Sequence, residues 1–502
     1  MKQITDYDCK IDFILSNDTS LIQPTQTIVK SKYKKRKCDE CNKRRKPAEK
    51  SPKICHVCYK VMSYEVKKSG NEVIDNFIRN TQISLVKNAG KMEFVPYDQF
   101  KDIVFIAEGG FSKVYKATWI NGPVIGWNYK NSIRKSNYTV VLKKLNNSNN
   151  ITSKELNELK IFYGYSSKRK NNYEKYSNFN SYVCKYFGIT QDPNSQEIII
   201  IMPYYDSGDL ISHIANCFHN VGWYEKLENL KKIIQGLASI HDVDIIHRDF
   251  HSGNIFFGKE DIFFIEEITI GDLGISKSAT DSSCYENYGI IPYMAPEIFR
   301  GRKYTKASDI YSFGMIMWEL MTGRRPFWNR SHDTELIINI CDGLRPPIVT
   351  NAPNGYIELM EECWHSDPEK RPHATDIYDK IDKIYKEESK NCDNKNPTEI
   401  VKSSDIGPVT NNPNAIYKSR NLSGMIQSAI SLRSSRSQSI NLELFNYYQK
   451  NNMGPTGKRK YENDLTEDKK DNDYITNELE LDIDINISNE YITVENDFDI
   501  SF

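Results

Sequence analysis

Residues 245–257 decide the fold, and they read IIHRDFHSGNIFF. Two shorter fragments follow in order, IGDLG at 270–274 and MAPE at 294–297. Asp249 in the first fragment and Asp272 in the second are 23 residues apart. Each fragment alone could occur by chance. Their order and spacing together indicate one enzyme core built around a few carboxylate and amide side chains.

A glycine-containing turn lies upstream, where residues 106–115 read IAEGGFSKVY between two strand-like runs. Small side chains let backbone N–H groups approach a phosphate chain closely. Gly109 and Gly110 meet this need, and Ala107 and Ser112 are also small. The turn therefore fits a phosphate-covering loop. These residues alone are explained equally well by a plain hairpin turn with two glycines.

The motifs together resemble those of protein kinases, and the likeness extends from about residue 100 to residue 385. It is most similar to the tyrosine-kinase-like group of Ser/Thr kinases, which includes the Raf, mixed-lineage and receptor-interacting kinases. The segments that carry this likeness are 202–210 (MPYYDSGDL), 247–254 (HRDFHSGN), 293–327 and 363–372 (CWHSDPEKRP).

The resemblance implies an α+β, two-lobed kinase fold with a small antiparallel sheet plus one helix and a larger, mainly helical lobe. ATP would bind between the lobes. Asp249 would accept the proton of the substrate hydroxyl, while Asn254 and Asp272 would hold Mg²⁺, or Mn²⁺ in its place. Lys143 would bind the α- and β-phosphates and pair with Glu158 on the next helix, predicted over 151–163, with Glu155 as the alternative partner.

Further roles follow from the same resemblance. The ATP-binding set would be Ala107, Gly109, Gly110, Ser112, Val114, Val141, Lys143, Met202, Tyr204 and Phe256, with Met202 as the gatekeeper. Asp309 would hold the catalytic-loop backbone, Glu297 and Arg371 would form a structural ion pair, and Arg248 would receive a phosphate on the activation segment. Ser282 and Ser283 are the candidate sites of that phosphate.

Three departures from the family pattern leave the substrate class open. His251 stands where Ser/Thr kinases have a lysine, and Ile290 stands where they have a threonine. Gly253 stands where tyrosine kinases have an arginine. Transfer to Ser or Thr is the leading expectation, and tyrosine or dual specificity is the alternative. A nucleotide-binding pseudokinase scaffold is the second hypothesis, and it is motivated by Ala107, Ser112, His251 and Ile290.

The second motif is a set of two cysteine pairs, Cys38 with Cys41 and Cys55 with Cys58. Four thiolates from two Cys-x-x-Cys knuckles suit tetrahedral Zn²⁺ in a closed, structural site. Free cysteines in a basic arm are the alternative.

Two basic runs, 30–37 and 43–46, flank the cysteine pairs. They could bind nucleic acid, an acidic partner or an importin, although a solvated face explains them equally well. The third functional hypothesis is that this module dominates and the kinase domain is auxiliary.

The length and composition of the chain are consistent with one large enzyme domain and smaller additional segments. The chain has 502 residues, 39% of them hydrophobic, and 67 basic and 67 acidic residues, so no net field selects nucleic acid or membrane as the main partner. The N-terminus lacks the features of a secretory signal. We therefore expect reduced thiols and a cytoplasmic protein, with nuclear entry through the basic runs.

The chain divides into five parts. The predicted parts are an N-terminal segment (1–29), a basic four-cysteine zinc-ribbon-like module (30–62), a connecting helix and linker (63–97), the kinase domain (98–386) and a low-complexity tail (387–502). The linker has apolar residues at helical spacing from Val73 to Ile78. The tail is rich in Asn, Ser, Lys and Asp and is predicted to be largely disordered. Residues 425–448 are its one apolar stretch, read as a solvated transient helix or as a docking segment.

Overall fold

The structure of the chain is a computed structural model. It describes residues 35–62, 67–83, 90–110, 112–128, 131–149, 155–168, 182–259, 266–274, 276–278 and 287–435. All of these belong to one compact unit, residues 1–439, and the second unit, 440–502, lies wholly outside the described residues. None of the helices in these ranges is long and apolar enough to cross a membrane.

The elements before the catalytic fragments form the cysteine module and the small lobe. They are β1 (Arg36–Lys37), β2 (Arg44–Arg45), β3 (Pro47–Ala48), β4 (Ser51–Cys55), α1 (His56–Met62), α2 (Glu72–Gln82), β5 (Glu93–Phe94), β6 (Phe100–Glu108), β7 (Ser112–Trp119), β8 (Val124–Asn128), β9 (Asn131–Arg134), β10 (Tyr138–Leu145), α3 (Asn157–Lys168), β11 (Gly188–Gln191) and β12 (Ile198–Pro203).

The elements after them form the large lobe and the tail. They are α4 (Leu210–Cys217), α5 (Trp223–His241), β13 (Ile245–Ile246), β14 (Ile255–Lys259), β15 (Glu266–Ile270), β16 (Lys277–Ser278), β17 (Tyr288–Gly289), α6 (Pro296–Phe299), α7 (Lys306–Thr322), α8 (Thr334–Cys341), α9 (Tyr356–Cys363), α10 (Ala374–Asp393), β18 (Arg420–Asn421) and a final helix, α11, over 423–435.

The small-lobe sheet has six strands in the order β5-β11-β12-β10-β7-β6. Its central strand β12 is a continuous apolar run, buried at every position, because both of its faces are covered. The predicted sheet was antiparallel, and the structure differs at one edge, where β5 pairs with β11 in parallel. A Cβ at Gly188 would lie 1.9 Å from the Glu93 carbonyl oxygen, so this close pairing requires glycine at residue 188.

The connecting helix α2 is part of the small-lobe core. Asn71 caps it by accepting from the N–H groups of Val73 and Ile74. Ile74 and Ile78 are buried in the same apolar cluster as α3, whereas Val73 is exposed. The segment predicted as a linker therefore packs directly against the lobe that carries Lys143.

The large lobe is organised around α5 and α7. Buried leucines and isoleucines recur along α5 at helical spacing, and nearly all of α7 is buried. Thr305 and Ser308 form a capping box at the start of α7, and Gly323, with φ of 74°, ends it in the left-handed conformation. These two helices support the catalytic fragments from below.

The ordered chain extends beyond the predicted domain boundary at residue 386. Residues 394–435 run over the large lobe and are held by main-chain hydrogen bonds, such as that from the Gly407 N–H to the Thr322 carbonyl (2.7 Å). Leu422, Ile426 and Ala429 of this segment are buried. The prediction of disorder does not hold here, because a few apolar side chains at helical spacing suffice to dock a segment whose composition is otherwise polar. Residues 436–502 lie outside the described part.

Lys226 on α5 provides a test of the large-lobe packing. Its side chain is buried, and among the described residues its ammonium has no hydrogen-bond partner, lying 3.9 Å from the Phe218 ring centroid. Burial lowers the pKa of Lys226 to about 7. Because the folded state disfavours the charged form, this residue costs the most stability below pH 7, and the cost disappears as the pH rises toward its unfolded-state pKa.

We expect Lys226→Met to increase the free energy of unfolding at pH 7 by on the order of 3 kcal/mol, because the substitution removes the buried charge while keeping the volume. The difference from the native chain should shrink between pH 7 and pH 10. Urea unfolding over this pH range measures it, with the exposed Lys370→Met as the control. If the difference in free energy of unfolding between Lys226→Met and the native chain did not change with pH, the lowered pKa of Lys226 would be contradicted.

Candidate active site

The cleft between the lobes brings together three charged side chains that are far apart in the sequence. Lys143 Nζ on β10 lies 3.0 Å from Glu158 Oε2 on α3 and 2.8 Å from Asp272 Oδ1. Glu158 is nearly fully buried, and the Tyr186 hydroxyl donates to its Oε1 at 2.8 Å. The structure thus places Glu158 in contact with Lys143.

The electrostatics of this triad favour a charged lysine. Burial opposes the ammonium, but Asp272 and Glu158 outweigh it and raise the pKa of Lys143 above its ordinary value. Burial raises the pKa of Glu158, and Lys143 counteracts part of that effect. Burial also favours a higher pKa for Asp272, but the charge and hydrogen bond of Lys143 outweigh burial, so the pKa of the Asp272 carboxyl is lowered. A cation therefore stays in the cleft at neutral pH, where it can bind phosphate oxygens.

The fragment 245–257 forms a tight loop held from below by Asp309 on α7. The Asp309 carboxylate accepts from the backbone N–H groups of His247 (2.8 Å) and Arg248 (2.9 Å), and it contacts His241 Nε2 at 2.9 Å. Arg248 has a φ of 72°, a left-handed conformation that is uncommon for a residue other than glycine. The two hydrogen bonds stabilise this strained turn, which presents Asp249 to the cleft.

Asn254 is oriented by the same loop. Its Nδ2 donates to the Asp249 main-chain oxygen at 2.9 Å, so its Oδ1 is the atom that remains for a cation. The carboxylate of Asp272 lies on the following fragment, where Gly274 N–H donates to Oδ1 at 3.3 Å. An amide oxygen and a carboxylate are the hard oxygen ligands that Mg²⁺ prefers. The residues present therefore fit a magnesium ion.

The predicted nucleotide-binding residues come from adjacent strands. In the ladders of β6, β7, β10 and β12, Ala107 is paired with Val114, Val114 with Lys143, and Val141 with Met202. Tyr204 immediately follows β12. Gly109 N–H donates to the Ser112 carbonyl at 2.7 Å and closes the glycine turn, which includes Gly110.

Phe256 forms the opposite side of this region. Its ring stacks on Tyr205 with a centroid separation of 5.6 Å. A Cβ at Gly271 would lie 2.6 Å from Phe256 Cε2, so the glycine before Asp272 is required by the bulk of this ring. The large residue at 256 is thus accommodated by close packing against Tyr205 and the backbone at Gly271.

Residues 251 and 290 differ from the lysine and threonine that are usual in Ser/Thr kinases, and His251 makes its own contacts beside Asp249. His251 Nδ1 accepts from the Gly253 N–H at 3.0 Å, and its Nε2 lies 3.8 Å from Asp249 Oδ1. Ile290 is buried. A histidine therefore occupies the position beside the candidate base where the family usually has a lysine.

The predicted ion pair of Glu297 and Arg371 is present in the large lobe. Arg371 and Glu297 form a buried, two-pronged ion pair with both N–O distances at 2.7 Å. The Arg248 guanidinium stacks 4.5 Å above the Tyr304 ring. Ser282 and Ser283 lie outside the described residues.

Two contacts were not predicted from the sequence. The Tyr186 hydroxyl orients Glu158, and Asn157 Nδ2 donates to the carbonyls of Gly274 (3.1 Å) and Ser276 (3.3 Å), which ties α3 to the segment after Asp272. Neither residue belongs to a motif. No local signal could have identified them, because both act through partners that are distant in sequence.

The cysteine module has the geometry of a candidate metal centre. The Sγ atoms of Cys38, Cys41, Cys55 and Cys58 all lie within 4.8 Å of one another, and three of the four residues are buried. The Sγ atoms of Cys41 and Cys55 are 3.8 Å apart. Four sulfurs around Zn²⁺ at ~2.3 Å would be separated by about 3.8 Å, so the donor set and spacing fit this ion.

The two-lobed fold, the Lys143–Glu158 pair and the loop that presents Asp249 define a protein kinase. A profile of the protein tyrosine and serine/threonine kinase family matches residues 101–381, more than half of the chain. The chain belongs to this family.

Similar proteins carry kinase names. A serine/threonine-protein kinase/receptor of Acanthamoeba polyphaga mimivirus is 27% identical over 294 residues, covering 56% of this chain and 15% of that protein. Two proteins of Dictyostelium discoideum, named as the probable serine/threonine-protein kinases roco5 and pats1, are 33% and 27% identical over 36% and 58% of this chain. The chain matches only 7% and 9% of the length of these two relatives.

Proposed function

We propose that this protein transfers the γ-phosphoryl group of ATP to serine or threonine hydroxyls of proteins. The observation that carries the proposal is the assembled triad of Lys143, Glu158 and Asp272 beside the loop that presents Asp249. A positioned cation, a metal-binding carboxylate and a base are the parts that phosphoryl transfer requires, because positioning and electrostatic stabilisation account for most of its catalysis.

Each residue of the site has its own role in the proposed transfer. Lys143 binds phosphate oxygens of ATP, and Glu158 keeps the ammonium in place. Asn254 and Asp272 would hold Mg²⁺, which neutralises charge on the phosphates when bound. Asp249 orients the substrate hydroxyl and accepts its proton.

The chain's relatives support serine and threonine as acceptors, since their names describe serine/threonine kinases. The motifs of 293–327 and 363–372 further support placing it in the tyrosine-kinase-like group. The intact triad favours an active enzyme over a nucleotide-binding scaffold.

The test is transfer of radiolabelled γ-phosphate from Mg²⁺-ATP to a generic basic protein, followed by phosphoamino-acid analysis. We expect label that depends on Mg²⁺ and that is recovered as phosphoserine and phosphothreonine. Recovery as phosphotyrosine alone would overturn the acceptor class. Nucleotide binding without any transfer would overturn the activity and favour the scaffold.

The cysteine module is proposed to be a structural zinc site. Its position supports a role in bracing the small lobe, because Arg45 Nη1 donates to the Ile83 carbonyl at the end of α2 (3.1 Å) and Arg79 of α2 pairs with Glu40. Four sulfur ligands, three of them from buried cysteines, would leave no open coordination position for chemistry.

We expect one Zn²⁺ per chain by elemental analysis. Its removal by a strong chelator should raise hydrogen exchange over residues 35–62 to the unprotected level, because binding of structural zinc supplies about 10 kcal/mol or more to such small modules. Cys55→Ser should reproduce the loss, whereas Cys392→Ser, at an exposed cysteine, should not. Purified protein that contains no zinc and yet keeps full hydrogen-exchange protection over residues 35–62 would contradict the zinc assignment.

A further inference from the structure

The tail segment 416–426 crosses the front of the candidate active site. Its strand β18 pairs antiparallel with β17, with Asn421 opposite Tyr288 and Arg420 opposite Gly289. Beyond the strand, Leu422 N–H donates to the Asn287 carbonyl at 2.8 Å. An extended peptide that adds to a strand edge by main-chain hydrogen bonds is a recurrent mode of peptide recognition. The tail therefore lies along β17 as a bound peptide would.

The paired strand lies beside the candidate base. A Cβ at Gly289 would be 3.9 Å from Asp249 Oδ1, so the backbone that pairs with Arg420 borders the carboxylate that would accept the substrate proton. On the other side, the Ser419 carbonyl oxygen lies 3.6 Å from the position of a Cβ at Gly110 in the glycine turn. Ser419 thus sits between the phosphate-covering turn and the strand next to Asp249.

Contacts on both sides of Ser419 set the register of this segment. On the N-terminal side, the Tyr417 hydroxyl donates to the Pro326 carbonyl at 2.9 Å, and Arg325 stacks 4.4 Å above the Tyr417 ring. On the C-terminal side, Arg420 Nη2 donates to the His332 carbonyl at 2.9 Å.

Apolar burial strengthens the C-terminal anchor. Leu422 and Ile426 are 0% and 1% exposed and belong to the main apolar cluster, which includes the buried residues of α5 and α7. Arg433, about two turns beyond Ile426 along α11, pairs with Asp342 at 2.5 Å. A shift by one residue would withdraw Leu422 from its buried position, so these anchors select Ser419 as the residue held at the mouth of the cleft.

We propose that residues 416–426 are a built-in substrate segment and that Ser419 is phosphorylated by the active site of its own chain. This inference rests on the proposed function. In the transfer, Ser419 Oγ attacks the γ-phosphorus of ATP, the bond to the β,γ-bridging oxygen breaks, and ADP leaves. The hydroxyl proton passes to the Asp249 carboxylate. While docked, the segment occupies the face that external protein substrates would need.

The test uses the full chain with Mg²⁺-ATP and site-resolved mass spectrometry. We expect phosphate at Ser419, with a first-order rate that does not change when the protein concentration is varied ~100-fold, since an intramolecular step has no concentration dependence. Ser419→Ala should remove this signal, and Ser428→Ala, at an exposed serine of α11, should leave it intact.

A second variant tests the docked geometry. Leu422→Asp places a charge in the buried anchor and should undock the segment, lowering the rate at Ser419 by at least ~10-fold while transfer to a generic basic protein is unchanged or faster. Labelled basic protein with unlabelled Ser419, or a rate at Ser419 proportional to protein concentration, would overturn the inference and leave the proposed function standing. No transfer to either acceptor would overturn both.

Discussion

Asp249→Asn is expected to lower the rate of γ-phosphate transfer by about 10²–10⁴-fold, the usual contribution of a general base. The substitution keeps the shape of the side chain but removes the proton acceptor. The hydrogen bond from Asn254 Nδ2 goes to the main-chain oxygen of residue 249 and should survive. ATP affinity should therefore change little, because the phosphate-binding cation and the candidate metal ligands are other residues.

The measurement is initial transfer rate to a generic basic protein, with nucleotide affinity determined separately on the same preparation. Asp242→Asn is the matched control, because Asp242 is an exposed carboxylate at the end of α5, only seven residues away in sequence. A loss smaller than ~10-fold in Asp249→Asn would assign the proton to another group.

Glu297→Gln should destabilise the large lobe by about 3–5 kcal/mol, the usual cost of breaking a buried ion pair from one side. Arg371 is 0% exposed at its side chain and Glu297 is 3% exposed. Arg371 also donates to the carbonyls of His365 and Ala307, both at 2.8 Å, so its guanidinium cannot move out to water without losing four hydrogen bonds. The substitution leaves that cation buried and without its counter-charge.

Urea unfolding followed by tryptophan fluorescence measures this effect. The control is Glu362→Gln, which breaks the exposed pair with Lys380 and should cost less than about 1 kcal/mol. Equal effects of the two substitutions would show that the Glu297–Arg371 pair does not stabilise the lobe beyond an ordinary surface contact.

Local sequence motifs were sufficient to predict the chemistry of the site. Lys143, Asp249, Asn254 and Asp272 each lie in a short fragment whose order along the chain is distinctive, and Cys38, Cys41, Cys55 and Cys58 carry their spacing in the sequence. Such residues can be predicted because the phosphate, metal or proton that each would bind or transfer restricts the residue type at its position.

Other features depend on contacts between distant segments. Tyr186 and Asn157 lie outside any motif, and their roles follow only from their partners. The burial of α2 in the small lobe and the parallel pairing of β5 also needed the folded chain, because nothing in the segment 63–97 specifies which surface its apolar face covers.

The sequence by itself determined that this protein is a kinase with a four-cysteine module, because the reacting groups are specified residue by residue. Only the tertiary structure decided where residues 394–435 of the polar tail lie. Its composition predicted disorder, yet Leu422 and Ile426 fill buried positions of the large lobe, and β18 completes a strand pair beside the cleft. The physical reason is that docking depends on the shape and unpaired backbone of the receiving surface, and neither is a property of the docking segment.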